Sequence, residues 1–283
     1  MPLLGEFGLG PGEVRVFAGS GVRRIYVVGD TDTGKTTLAG AIARRLASRV
    51  RTAIVDLDAG QASVGLPTTF AWRMWRGRKP AGLYFTGTTS PSGHLDVVVA
   101  GAAAMVAEAA GCAEKVVVDT CGLAVGGAGR ALHHAVMDAV RPDVLVAIER
   151  ADELSEWLEP VARSGWPRVV HAIVPACVRR RSWATRRSYR RRRFRAYFER
   201  ARERRLDLRE VGVLRPRPDS VGRLASLRDA AGRDVALGIV LACDSPLGTL
   251  TVLSPLPKRV RVRAVVLGSM RIARDGRQLA RDV

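Results

Sequence analysis

Short apolar runs alternate with longer amphipathic stretches through the first two thirds of the chain. The runs are rich in valine and isoleucine and are continuous, which is typical of strands buried on both faces of a parallel sheet. Leu38, Ile42 and Leu46 recur four residues apart and predict an amphipathic helix. The apolar runs fall at 25–28, 52–55, 83–85, 115–118, 143–148 and 168–174, and further helices are expected at 92–111, 131–140 and 152–162. The pattern predicts an α/β core with a mostly parallel sheet flanked by helices.

Both ends of the chain and one internal stretch depart from this pattern. Near the N-terminus, glycines and an alternating run from Val14 to Phe17 predict a short β segment. Towards the C-terminus, β-rich runs broken by glycine and proline predict a small β domain. Before that domain, Phe194, Tyr197 and Phe198 have the spacing of one helix face. The expected units are an N-terminal segment at 1–22, an α/β core at 23–177, an arginine-rich lid at 178–205 and a β domain at 206–283.

Positive charge is concentrated in the expected lid. The chain carries a net charge of +19, and residues 179–205 contain fourteen arginines against two glutamates, which accounts for +12 of it. Such a stretch indicates a polyanionic partner such as nucleic acid. Two interpretations are open: the arginines close over bound phosphates as a lid, or they form a solvated helix that binds RNA without moving.

Composition does not indicate a protein with a structural zinc site, a disulfide-linked protein or a membrane protein. The four cysteines are scattered without a CxxC pair, so neither a zinc site nor a disulfide framework is expected. The most apolar stretch, 97–107, lies between Asp96 and Glu108 and is shorter than a membrane span requires. We therefore expect a cytoplasmic protein that does not associate with a membrane.

The clearest chemical motif lies between the first apolar run and the first helix. Gly29-Asp30-Thr31-Asp32-Thr33-Gly34-Lys35-Thr36-Thr37 fits the Walker A pattern, whose backbone N–H groups cradle the phosphates of a nucleotide. In that pattern Lys35 reaches the β- and γ-phosphates and the Thr36 hydroxyl binds Mg²⁺. Asp32 is unexpected inside such a loop, and it either accepts hydrogen bonds from loop amides or pairs with an arginine.

Acidic residues follow two of the apolar runs. Asp56 and Asp58 come at the end of one run, and Asp119 ends another. The carboxyl ends of parallel strands meet at one edge of a sheet, where α/β proteins bind their ligands. With Thr36, the three carboxylates are the candidate Mg²⁺ ligands. The motifs alone leave open which carboxylate binds the metal and which acts as a general base.

Six short motifs follow one another from the phosphate loop to the C-terminal domain. They are Thr31 to Thr36, Asp58-x-Gly60-Gln61, Gly87 to Pro91, Val118 to Gly122, Arg-Ser-x3-Arg from Arg181, and Val265 to Arg271. In this order they resemble the polynucleotide 5′-hydroxyl kinase family, which includes archaeal RNA kinases, nucleolar relatives and the kinase subunit of the eukaryotic pre-mRNA cleavage complex. The resemblance implies transfer of the γ-phosphate of ATP, with Mg²⁺, to the 5′-OH end of RNA, with DNA ends left open.

The resemblance also implies roles for individual residues. Asp58 matches the family's general base, with Asp56 and Asp119 as the alternatives, and Arg181 and Arg186 match two lid arginines that neutralise the transferring phosphoryl group. The candidate contacts to nucleic acid are Gln61, Thr88, Thr89, His94 and Trp183.

Three positions leave alternatives open. Some relatives have a tryptophan that meets a substrate base at position 123, where this chain has Leu123. Base stacking is therefore either supplied by Trp183 or Tyr189 or lost. His94 either binds a phosphate or has a structural place at a helix start. The basic stretch around Trp72 and Trp75 either contacts nucleic acid or packs inside the protein.

A kinase is not the only function class that these motifs allow. A non-catalytic ATP-binding scaffold of an RNA-processing complex would also retain a Walker A loop and a basic surface. A GTPase switch is disfavoured because the guanine-reading Asn/Thr-Lys-x-Asp signature is missing. The combination of Lys35, Asp58, Arg181 and Arg186 favours the enzyme.

Overall fold

The computed structural model describes residues 4–217, 219–244 and 247–279. The first of its two sheets contains β1 Arg24–Gly29, β2 Thr52–Leu57, β3 Thr69–Met74, β4 Gly82–Phe85, β5 Lys115–Thr120, β6 Val144–Glu149 and β7 Arg168–Ile173. The second contains β8 Arg202–Asp207, β9 Gly212–Leu214, β10 Arg223–Arg228, β11 Asp234–Asp244, β12 Thr249–Ser254 and β13 Ala264–Arg271. The helices are α1 Pro11–Ala18, α2 Lys35–Leu46, α3 Leu95–Cys112, α4 Gly126–Val140, α5 Ser155–Ser164 and α6 Trp183–Phe198.

The first sheet has the order β4-β3-β2-β5-β1-β6-β7. Its strands β2, β5, β1, β6 and β7 are parallel, whereas β3 runs antiparallel to both β2 and β4. Helices α3, α4 and α5 cover one face, and α1 and α2 cover the other. The predicted α/β fold with a mostly parallel sheet is therefore confirmed.

The register of the central strands brings distant residues together. Strand β5 lies between β1 and β2, so that Asp119 is opposite Val27 on one side and Asp56 on the other. The phosphate loop follows β1 directly and leads into α2. The carboxyl ends of three strands therefore meet beside the phosphate loop, as the sequence predicts.

The N-terminal segment is helical, so the prediction of a β segment at 1–22 is wrong. Leu4–Phe7 forms a 3-10 turn, and α1 begins with a proline, whose missing N–H is not needed in the first turn of a helix. The N–H group of Gly10 donates to Oε2 of Glu13 at 3.0 Å. Phe17 is buried in the core beneath α2. A four-residue run is too short to distinguish the strand period from the helix period.

Strand β3, which the sequence pattern does not reveal, contains Trp72. The Trp72 side chain is buried, and its indole N–H donates to Oε2 of Glu108 at 2.9 Å. Trp75, just after the strand, packs partly buried against the core on the α2 side. Packing inside the protein is therefore the correct alternative for Trp72.

Helix α3 has the length and composition of a membrane span. Among the described residues it is the one helix that meets both criteria, with 18 residues and a mean hydropathy of 1.7. Buried core helices meet the same criteria. Here Val98, Ala102 and Met105 are buried among side chains of the sheet and α4. The contacts of α3 are those of a core helix.

The second sheet forms the predicted C-terminal β domain, with the order β8-β12-β11-β10-β13-β9. Its first strand begins at Arg202, so residues 202–205, which we expected in the lid, belong to this domain. Helix α6 confirms the predicted aromatic stripe: Phe194 and Phe198 are buried in a core that also contains Phe85 of β4. Asp234 of β11 accepts a hydrogen bond from the N–H of Phe85 at 2.7 Å. These contacts hold the C-terminal domain beside the carboxyl end of β4.

Candidate active site

The phosphate loop owes its shape to two glycines. A Cβ on Gly29 would lie 2.5 Å from the carbonyl oxygen of Ile148, so no side chain fits at that position. Gly34 has a φ of +94°, in the left-handed region that favours glycine. The hydroxyl of Thr33 closes the loop by donating to the carbonyl of Asp30 at 2.9 Å. The local sequence therefore dictates a tight turn between β1 and α2.

Lys35 lies buried at the centre of this loop. Its ammonium group donates to the carbonyl oxygen of Asp30 at 2.7 Å. Burial lowers the pKa of Lys35, and the nearby carboxylates of Asp119 and Asp58 oppose that change. Lys35 and the two carboxylates thus lie close enough to influence one another's charge, as a single cleft requires.

Asp119 is a buried carboxylate without a hydrogen-bond partner among the described residues. It is 1% exposed, and both of its oxygens lack a donor. Burial raises the pKa of Asp119, and the neighbouring Asp56 raises it further. The Thr36 hydroxyl lies near enough to lower that pKa but outside hydrogen-bond geometry. A hydroxyl beside an orphaned carboxylate is a hard oxygen donor set, which fits a divalent cation such as Mg²⁺.

Asp56 and Asp58 differ in how their oxygens are used. Asp56 accepts from the N–H of Asp58 on one oxygen, and on the other from the N–H and hydroxyl of Ser63 and the N–H of Val64. These bonds fold the loop that follows β2. Asp58 is half-buried and accepts from the N–H groups of Gly60 and Gln61 on Oδ1 at 2.9 Å. Its Oδ2 accepts no hydrogen bond from the part of the chain that the structure describes, so it can receive a proton.

A second loop, 87–91, faces the Asp58 turn. A Cβ on Gly60 would lie 2.9 Å from the carbonyl of Thr89, and a crevice between the loops is lined by Asp58, Thr88, Thr89 and Cys121. The hydroxyl of Thr88 is occupied by a hydrogen bond with the backbone of Ser90. Burial raises the pKa of the Cys121 thiol to about 12, so the thiol is neutral there. The crevice has room for about one hydroxyl-sized group beside Asp58.

The C-terminal domain holds this second loop in place. The carbonyl of Gly87 accepts from both the N–H and the hydroxyl of Ser269, at 3.0 and 3.1 Å. Gly268 allows the close approach, because a Cβ there would lie 3.0 Å from the same carbonyl. The motif from Val265 to Arg271, to which no role could be assigned from sequence alone, therefore positions the loop.

Lid helix α6 touches both domains. On the core side, the guanidinium of Arg186 and the backbone N–H of Arg181, just before the helix, both donate to Asp32. The hydroxyl of Tyr189 donates to the carbonyl of Ala62 at 2.7 Å. On the other side, Arg191 pairs with Asp275. Protein carboxylates and carbonyls thus supply part of the counter-charge that the arginines need. The helix packs against the protein, and its predicted closure over phosphates stays a prediction.

The remaining predicted contacts to nucleic acid lie around the cleft with unequal exposure. Trp183, the first residue of α6, is 68% exposed, and the guanidinium of Arg187 lies 5.3 Å from its ring centroid. Gln61 donates to the carbonyl of Gly60, while its Oε1 is buried and has no partner in the described ranges. His94 caps α3 with its backbone only, and its side chain makes no capping bond.

Two contacts of the site have no signal in the sequence. Arg150, after β6, donates to the carbonyl of Asp32. Tyr26 of β1 bonds to Nδ1 of His133 at 2.7 Å, and His133 stacks on Trp157 beneath the loop after β5. These pairs join residues that are far apart in the chain, so spacing could not reveal them.

Comparison with known proteins places this cleft in a family. Residues 29–200 match the model of a family described as mRNA cleavage and polyadenylation factor CLP1 P-loop. Wild-type Clp1p, solved in complex with Pcf11p (454–563), has a TM-score of 0.73 to this structure at 14% identity, over 91% of this chain and 77% of that chain. Identity this low shows a shared fold.

Curated relatives carry an enzyme name. The polyribonucleotide 5′-hydroxyl-kinase of Pyrococcus furiosus is 32% identical over 186 residues, which cover 63% of this chain and 51% of the relative. The protein of the same name from Methanocaldococcus jannaschii is 32% identical over 145 residues, 48% of this chain and 40% of the relative. The chain spans about half the length of the curated relatives it matches most extensively. Since the family model covers more than half of the chain, and the phosphate loop and lid helix both lie within it, the protein belongs to the CLP1 P-loop family.

Proposed function

We propose that the protein is a Mg²⁺-dependent polynucleotide 5′-hydroxyl kinase that transfers the γ-phosphoryl group of ATP to the 5′-OH end of RNA. One observation supports the proposal: Asp58, which keeps an oxygen without a hydrogen bond among the described residues, lies close enough to the phosphate-loop Lys35 and to the buried Asp119 for their charges to interact. The names of the relatives support the choice of acceptor.

The reaction needs a base and a path for the incoming hydroxyl. The 5′-OH enters the crevice between Asp58 and the loop 87–91. Asp58 takes its proton while the O5′–P bond forms and the bond from the γ-phosphorus to the β–γ bridging oxygen breaks, releasing ADP. The proton then passes from Asp58 to water. Positioned bases of this kind typically contribute about 10²–10⁴ in rate.

The phosphoryl group carries its charge on the equatorial oxygens, so the cleft must supply cations. Lys35 would provide one at the phosphate loop, and Arg186, which pairs with Asp32 of that loop, and the nearby Arg181 would provide the others. Thr36 and Asp119 would hold Mg²⁺, which supplies further charge neutralisation at the phosphates. Asp56 holds the loop after β2 through its four hydrogen bonds.

The RNA end needs a surface for its first bases. Tyr189 uses its hydroxyl on Ala62, whereas Trp183 presents most of its ring to solvent. We therefore propose Trp183 as the stacking residue, since base–aromatic stacking tolerates any base. The exposed arginines of α6 extend this surface along the strand. A cytoplasmic location without membrane contact stays a prediction.

Label transfer tests the proposal directly. Purified protein is incubated with γ-labelled ATP, Mg²⁺ and matched 5′-OH oligonucleotides of RNA and DNA. We expect labelled RNA, loss of label on chelation of Mg²⁺, and loss of transfer with retained ATP binding in Asp58→Asn. A protein that binds ATP and transfers no label to either oligonucleotide would be the scaffold instead.

A further inference from the structure

We infer that Asp32, the carboxylate inside the phosphate loop, is a positioning residue that holds Arg186 for phosphoryl transfer. Oδ2 of Asp32 accepts a hydrogen bond from the guanidinium of Arg186 at 2.6 Å and from the backbone N–H of Arg181 at 2.7 Å. The carboxylate is 13% exposed and the Arg186 side chain 29%, so the pair is partly shielded from solvent. This inference rests on the proposed function.

The backbone of Asp32 is built for this contact. Its φ of +56° lies in the left-handed region, which aspartate tolerates better than most residues. Its carbonyl accepts a hydrogen bond from Arg150, which follows β6. Asp32 thus joins three segments: the phosphate loop, the start of the lid and the end of β6.

A carboxylate beside a phosphate-binding site weakens binding, because it repels the phosphate unless a cation neutralises it. Arg186 and Arg150 both contact Asp32 and offset its charge. The hydrogen bond from Arg186 uses one terminal nitrogen, so the other N–H groups of the planar guanidinium can reach a phosphoryl oxygen. Pairing with Asp32 therefore restricts the side chain without using all its donors.

The lid itself does not fix this side chain. Phe194 and Phe198 anchor the far half of α6 in the C-terminal core, while the first turn is capped by Ser182, which accepts from the N–H of Thr185 at 3.1 Å. Arg186 extends from that first turn, and within the described residues its guanidinium has one acceptor, Asp32. A flexible arginine with a single anchor loses its orientation when the anchor is removed.

The test separates orientation from binding. In the label-transfer assay, Asp32→Asn keeps the shape of the side chain and removes its charge. We expect kcat to fall about tenfold or more, while the ATP dissociation constant, measured by titration calorimetry, changes less than about threefold or tightens. In an Arg186→Ala background, Asp32→Asn should cause no additional loss, because the two residues act as one unit.

Asp275→Asn is the matched control, since it removes an ion pair from the same helix, to Arg191, away from the cleft. It should leave kcat and ATP affinity unchanged, and circular dichroism confirms folding of each variant. Wild-type kcat in Asp32→Asn, or a further loss in the Arg186→Ala background, would overturn the inference. A raised kcat would also overturn it, because the carboxylate would then restrain Arg186. A wild-type protein that transfers no label would refute the proposed function instead.

Discussion

Asp56 and Asp119 are paired on neighbouring strands, yet their hydrogen bonding differs. Their Cα atoms are register partners between β2 and β5, and each residue is 1% exposed. Asp56 accepts four hydrogen bonds from the loop that follows its strand, whereas Asp119 accepts none among the described residues. Burial raises the pKa of both, and the N–H donors around Asp56 counteract the rise there.

Under the proposed function, this difference distinguishes Asp56 as a structural carboxylate from Asp119 as a metal-binding one. A buried charge without partners destabilises a fold, so a protein retains it where a ligand supplies the missing interaction. Asp119 lies beside Thr36 and Lys35, where a cation and phosphates would do so. Asp56 already has its donors, and removing it would release the loop that carries Asp58.

Replacing Asp119 should have the largest effect on activity. Asp119→Asn removes a proposed Mg²⁺ ligand worth several kcal/mol at the transition state, so we expect kcat to fall about 10³-fold. Its free energy of unfolding, measured with urea, should stay equal or rise, because a buried carboxyl group without a hydrogen-bond partner among the described residues is gone. Calorimetry should show weaker binding of Mg²⁺ with ADP. Lower stability with normal Mg²⁺ binding would mean that Asp119 is structural.

Replacing Asp56 should show the opposite pattern. Asp56→Asn loses an oxygen that accepts three hydrogen bonds from Ser63 and Val64, and we expect the free energy of unfolding to fall by about 2–4 kcal/mol. Mg²⁺ binding by the folded protein should change little. If Asp56→Asn were as stable as the wild type but failed to bind Mg²⁺, Asp56 would be the Mg²⁺ ligand and not the carboxylate that stabilises the loop.

Sequence alone could place the two aspartates at the same edge but could not distinguish them. Strand periodicity gives the ends of β2 and β5, and the Walker A spacing gives the loop that they face. Which oxygens are bonded depends on how the chain returns after Asp56, and local spacing does not encode that path. The same holds for Asp32, whose partner Arg186 lies 154 residues away.

The error at the boundary of the lid has a similar cause. The aromatic spacing of α6 correctly predicts a helix, because i, i+3, i+4 contacts are local. The boundary at 205 fails because β8 contains Arg202, Arg204 and Arg205 and therefore resembles a continuation of the arginine stretch. The contact of Ser269 with Gly87 joins two domains and could be found only in the fold.

His133 combines features of both aspartates, because one of its ring nitrogens is hydrogen-bonded and the other is not. It is 1% exposed, its Nδ1 bonds to Tyr26, and its Nε2 has no partner among the described residues. Burial lowers the pKa of His133 to about 3, and the positive charge of Lys35 contributes. Protonation in the folded state is therefore unfavourable, so this group should make stability depend on pH.

The expected direction follows from the two protonation equilibria. Because the folded pKa lies below the unfolded value of about 6.5, the unfolded chain binds the proton first, and stability is lost as pH falls below 6.5. From pH 7 to pH 5, His133 should remove about 2 kcal/mol from the free energy of unfolding. Protonation of Asp56 changes stability in the opposite direction, because burial raises its pKa. The quantity to measure is therefore the difference in the free energy of unfolding between wild type and His133→Gln, determined with urea at each pH. That difference should shrink towards pH 5. If the difference in free energy of unfolding were the same at pH 7 and pH 5, His133 would be protonated as readily in the folded protein as in the unfolded chain. Its unpartnered nitrogen could then accept a proton without a loss of stability.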